Sequence, residues 1–146
     1  MLKAVIIDSS AIARGLLNTV LLDGGYDVVG QAHTCLAGNV LLIKHNPQII
    51  CIARDCIEAD EPAMAAMRKE WPKAMIFMVS SEFDQATIQK GHAMGLNGYI
   101  VKPFNAGTVL KTIRNTVIAT VKRQQAAQAA QDGAAGAAPA EGSDEV

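Results

Sequence analysis

The sequence predicts an α/β domain in which five strands of a parallel sheet alternate with five helices. Three observations lead there. Ala4-Val5-Ile6-Ile7 and Ala74–Val79 are continuous apolar runs and Gln48–Ala53 is apolar-rich, the pattern of strands covered on both faces rather than one. The segments between them carry apolar residues at helical spacing, bounded by capping and breaking residues. The alternation runs through residues 3–122 and implies right-handed crossovers between parallel strands.

Each element has its own signal. After the first strand, Ser9 or Ser10 caps a helix on which Ile12, Leu16, Val20 and Leu21 recur until Asp23-Gly24-Gly25 stops it. Tyr26 to Ala32 reads as a second strand. Thr34 to Asn46 reads as a second helix with Leu36, Val40 and Ile43 inward, weakened by Gly38 by about 1 kcal/mol relative to alanine. Gln48 to Ala53 is the third strand, and Arg54 to Glu61 an acidic loop. Pro62 opens a third helix that runs to Glu70 and ends at Trp71-Pro72. Ala74 to Val79, Asp84 to Met94 and Gly98 to Val101 are the fourth strand, fourth helix and fifth strand. The last helix begins near Asn105 and buries Val109, Ile113, Val117 and Val121.

Composition bounds the rest. The 146 residues suit one domain, 1–123, and a tail, 124–146. Residues 124–131, rich in Ala and Gln, can prolong the last helix before Gly133, Gly136 and Pro139 break it, and the acidic end is expected to be disordered. A net charge of −1 offers no general attraction to nucleic acid or an anionic membrane. Met1-Leu2-Lys3 runs into only four apolar residues before Asp8, too few for a signal peptide or a span, and three cysteines without a Cys-x-x-Cys pair suit a reducing cytoplasm. Cys51 is expected to be buried, and Cys56 to lie on a loop with no base or second thiol beside it. His33, His45 and His92 show no metal-ligand spacing. Asp8-Ser9-Ser10-Ala11 stands where a Gly-rich phosphate loop would, which argues against a flavin or nucleotide, and no cofactor is implied.

Asp8 after the first strand, Met78-Val79-Ser80-Ser81-Glu82 after the fourth and Gly98-Tyr99-Ile100-Val101-Lys102-Pro103-Phe104 at the fifth resemble the receiver domain of bacterial response regulators, the CheY-like family. The resemblance covers roughly residues 3–122. It implies the flavodoxin-like strand order 2-1-3-4-5, with a crevice at the carboxyl ends of strands 1 and 3. In that family two acids after strand 1 and an acceptor aspartate after strand 3 hold Mg²⁺, while a hydroxyl and a lysine bind the phosphoryl oxygens. Here Asp8 keeps the first acid, Ser9 replaces the second and Ala53 replaces the acceptor. Ser80, Lys102 and the aromatic switch residue Tyr99 are kept, and the resemblance implies a cis bond before Pro103.

Alanine supplies no nucleophile, and one remaining carboxylate, Asp8, makes a poor Mg²⁺ site. Asp55, two residues beyond Ala53, is the alternative acceptor, displaced by roughly 6.5 Å if the strand continued. Lys102 is expected to pair with Asp8, with Arg54 as a rival cation, and Ser80 to satisfy local backbone groups. The leading reading is a degenerate pseudo-receiver, not an enzyme, acting as a protein-interaction module in two-component or phosphorelay signalling. The resemblance places its output or homodimer face on helix 4, strand 5 and helix 5, with Gln89, Lys90, Tyr99, Lys111 and Asn115. The competing readings are a phosphoryl acceptor using Asp55 and a small-ligand binder in the vacated crevice.

Overall fold

The computed structural model describes residues 1–135. The elements are β1 (Lys3–Ile7), α1 (Ala11–Asp23), β2 (Asp27–Ala32), α2 (Cys35–His45), β3 (Ile49–Ala53), α3 (Arg54–Ala59), α4 (Glu61–Glu70), β4 (Met75–Ser80), α5 (Gln85–Ala93), β5 (Gly98–Val101) and α6 (Ala106–Ala135). The five strands are parallel in the order β2-β1-β3-β4-β5, the flavodoxin-like topology that the resemblance implies. The chain divides into two compact units within α6: Met1–Ile113 holds the whole sheet, and the second begins at Arg114. In that second unit α6 continues through Gly133 to Ala135. The expectation of a disordered acidic end falls outside the described residues.

Polar side chains set the helix starts. Ser10 accepts from the Ala13 amide, Thr34 from Ala37 and Asp60 from Ala63, each at 3.1 Å, and Asp84 accepts from Thr87 at 2.8 Å. Each cap stabilises its helix by about 1 kcal/mol. Asp60 also explains why six helices form where five were expected. Arg54–Ala59 is helical rather than a loop, braced by an Arg54–Glu58 ion pair of 3.0 Å one turn apart. Asp60 then leaves helical geometry (φ −154°) and caps α4.

Three helices turn a different stripe inward from the one their periodicity suggests. On α1 the buried residues are Ala13, Leu17 and Leu21, with Ile12 and Leu16 exposed. On α2 they are Cys35, Gly38 and Leu42, while Leu36, Val40 and Ile43 face outward. Apolar residues lie nearly all round α2, so spacing alone does not select a face. Gly38 does. A Cβ built there would stand 2.3 Å from Ile7 Cδ1, so the glycine side is where α2 presses onto β1. On α6, Val109 and Ile113 are buried as expected, but in the second unit Thr120 is buried, Val117 is half-buried and Val121 is exposed.

At the amino-terminal ends of the strands, Arg68 ties two loops together, the one before β4 and the one before β5. Its guanidinium donates to the carbonyls of Trp71 (2.7 Å), Ala74 (2.8 Å) and Gly95 (3.1 Å) and to Asn97 Oδ1 (3.1 Å), which also accepts from the Ile76 amide. Burial pulls its pKa below the ordinary arginine value. Arg68→Ala should therefore lower unfolding free energy by about 3 kcal/mol, because buried carbonyls lose their donors. Arg68→Lys should recover only part of that, since an ammonium cannot reproduce the planar fork. Urea unfolding followed by Trp71 fluorescence, with Lys69→Ala as the control, measures both.

Candidate functional site

Register alone aligns the strand ends. Ile7 of β1 lies beside Ile52 of β3, which brings Asp8 level with Ala53. Ala53 pairs with Val79 and Ser80 with Val101, which brings Ser80 and Lys102 to the same edge. The result is a cleft of about 290 Å³ lined by Asp8, Ser9, Ser10, Arg54, Asp55, Glu58, Val79, Ser80, Ser81 and Lys102. Ala53 lies beneath it, 1% exposed.

Most polar groups of the cleft already have partners. Asp8 is buried; its Oδ2 meets Lys102 Nζ at 2.9 Å and its Oδ1 accepts from the Ser10 amide at 2.9 Å. Arg14, which the sequence reading did not single out, donates to the Asp8 carbonyl at 2.6 Å from one turn along α1. Ser80 Oγ donates to the Glu82 carbonyl (2.9 Å) and accepts from the Glu82 amide (3.2 Å), a closed local loop. Arg54 pairs with Glu58, not Asp8. The Lys102–Pro103 bond is cis.

Asp55 sits differently from its extrapolation along a strand. β3 ends at Ala53, so Asp55 lies in the first turn of α3, where its Oδ2 accepts from Ser9 Oγ at 2.7 Å. It lines the same cleft as Ser80 and Lys102. Cys56 departs further from expectation. It is buried within α3, not on a loop, with Cys35 close by: Cys35 Sγ donates to the Cys56 carbonyl at 3.5 Å. Burial pushes both thiols up, Cys35 to about 11.

The family's Mg²⁺ does not fit this donor set. Both Asp8 oxygens are engaged, one by a lysine cation, and Ala53 offers no side-chain oxygen. Ser9 is neutral and turned to Asp55. Among the described residues no three His, Cys, Asp or Glu side chains gather as an ion site.

No family model matches the chain. The chemotaxis protein CheY of Listeria monocytogenes is 27% identical over 114 residues, covering 77% of this chain and 96% of that protein. The CheY of Bacillus subtilis is 26% identical over 116 residues, 79% and 97% of the two chains. Among solved structures, the chemotaxis response regulator CheY4 of Vibrio cholerae superimposes with a TM-score of 0.70 at 28% identity, over 80% of this chain and 98% of that one. The chain is similar to CheY-like receiver domains in sequence and in fold. The signal receiver domain of the putative response regulator NarL from Mycobacterium tuberculosis, at 20% identity and a TM-score of 0.70, shares the fold.

Tyr99 lies half-buried, packed edge-on to Phe83 (ring centroids 5.3 Å apart) with its hydroxyl donating to the Ile88 carbonyl at 3.0 Å. Gly91 on α5 makes room for it, since a Cβ there would stand 2.8 Å from the Tyr99 oxygen. Gln89, Lys90 and Lys111 are exposed near this ring's elements, and Lys90 pairs with Glu61 at 2.7 Å. Asn115 belongs to the second unit and is exposed.

Two outcomes follow. Burial disfavours the Tyr99 phenolate and raises its pKa above 10.0. In a Tyr26→Phe background, absorbance titration should show Tyr99 ionising above that value, and Gly91→Ala should displace the ring and bring the midpoint back down. Separately, Lys102→Met should destabilise the fold by about 2 kcal/mol in chemical denaturation, because Asp8 stays buried without its cation. Solvent access to the lysine reduces the loss from the full buried-pair figure.

Proposed function

We propose that the chain is a pseudo-receiver: a cytoplasmic protein-interaction module of two-component-type signalling that works without accepting a phosphoryl group. Ala53 carries this reading. A methyl group stands where the chemistry needs a carboxylate, and it lies beneath the cleft floor. The groups that would meet a phosphoryl oxygen are committed elsewhere, Lys102 to Asp8 and Ser80 to Glu82. Without a metal, little offsets charge developing on a transferred phosphoryl group.

The partner is a protein. A net charge of −1 gives no electrostatic drive toward nucleic acid, and among the described residues no helix is long and apolar enough to cross a membrane. The docking face is α5 and β5 with the start of α6, where Gln89, Lys90, Tyr99 and Lys111 supply side chains. With no phosphate to shift Tyr99, the pose of its ring is set by packing and by whatever binds this face.

The competing reading uses Asp55, which reaches the cleft and holds Ser9. Incubation with acetyl phosphate and Mg²⁺, followed by intact mass, separates the two. The pseudo-receiver gives no hydroxylamine-labile adduct, whereas an adduct mapping to Asp55 overturns it. Beryllofluoride binding tests the account of the defect. Ala53→Asp alone should bind poorly, since the new carboxylate faces Asp8 without a second acid to complete an ion site. Ala53→Asp with Ser9→Asp should bind far better than either change predicts by addition.

A further inference from the structure

Away from the proposed docking face, the outer side of α2 carries an apolar stripe that the fold of the first unit leaves in solvent. Leu36, Val40 and Ile43 are 75%, 63% and 69% exposed. They recur at one-turn intervals, so they form a continuous row where a surface helix ordinarily presents polar residues. The row ends at Lys44, exposed in the last turn. At the other end Leu36 forms one wall of a cavity of about 350 Å³, shared with Cys35, Ala59, Asp55 and Asp60. Both aspartates are exposed. The surface therefore runs acidic, apolar, basic along the α2 axis.

We propose that a second copy of this chain docks here, α2 against α2, antiparallel about a twofold axis at Val40. A twofold interface must be self-complementary, and this surface is so in one orientation only. Val40 lies midway in sequence between Leu36 and Lys44. An axis through it sets each Lys44 level with the other copy's Leu36, about 6 Å along the helix from the axis. That is the mouth of the cavity. Its apolar walls suit a lysine's methylene stem, and the aspartates at its rim suit the ammonium. One oxygen of each aspartate has a partner inside its own chain, Ser9 Oγ for Asp55 and the Ala63 amide for Asp60, which leaves a second oxygen on each to accept. Parallel docking would instead set lysine against lysine and aspartate against aspartate. The antiparallel arrangement also opposes the two helix dipoles favourably. Ser80 and Lys102 take no part, but Asp55 does so as an unmodified carboxylate, so the inference rests on the pseudo-receiver reading.

The interface is small, so association is expected with a dissociation constant on the order of 10–100 µM. Sedimentation velocity of the full chain across the micromolar range should show a monomer–dimer equilibrium that weakens with added salt. Val40→Asp places two carboxylates at the axis and should leave only monomer, and Lys44→Glu should weaken association at least about tenfold. Circular dichroism melts confirm that these exposed-site variants remain folded. A cross-linking arm is independent of them. All three native cysteines are buried. Val40→Cys should therefore form a covalent dimer on mild oxidation, while Ile12→Cys, on α1 and more exposed than Val40, should not. The proposal is overturned by a chain that stays monomeric throughout, by a dimer that Val40→Asp leaves intact, or by equal cross-linking at both sites. A dimer broken instead by Lys111→Glu would place the second copy on the α5–β5–α6 face.

Discussion

Strands β3 and β4 have no solvent-facing side, and β1 is covered from Ala4 onward, so nearly every side chain in them is apolar and every backbone group must bond to a neighbouring strand. A one-residue slip would exchange the sets of side chains packed against the two helical layers, which fixes the register. The fixed register makes Asp8, Ala53, Ser80 and Lys102 neighbours although they are spread across most of the domain. The helices then pack where the sheet admits them, α2 pressing onto Ile7 through Gly38.

Within that frame the crevice is a site whose charge has been closed internally. A buried carboxylate beside a lysine is a stable arrangement when hydrogen bonds satisfy the remaining lone pairs, and Ser10 and Lys102 together do this for Asp8. Among the described residues no buried side-chain polar atom is left without a partner. Lys102 and Ser80, engaged within the chain, have little differential affinity to offer an incoming phosphoryl group, and without differential affinity a ligand cannot drive a conformational change. On the proposed pseudo-receiver reading, the functional weight lies on the surface, where α5 presents charged and polar groups and α2 presents an uncharged row.

The sequence by itself determined the order of the five strands and of five of the six helices, narrowed the α1 cap to Ser9 or Ser10, and put a methyl rather than a carboxylate at Ala53, because each is written in local chemistry: apolar run length, a side-chain oxygen before a helix, the residue type itself. It also brought Asp8 and Lys102 into view as a pair. What it could not determine was which face of a helix turns inward when apolar residues surround it. On α2 two stripes satisfy the same spacing, and only Gly38 against Ile7 chooses between them. Extended reasoning along β3 likewise could not foresee that the chain coils at Arg54, since Asp60's role in separating α3 from α4 depends on backbone geometry. The tertiary structure alone therefore decided that Asp55 meets Ser9, that Cys56 is buried beside Cys35, and that Leu36, Val40 and Ile43 look outward. These are contacts between elements, and helical periodicity carries no information about them.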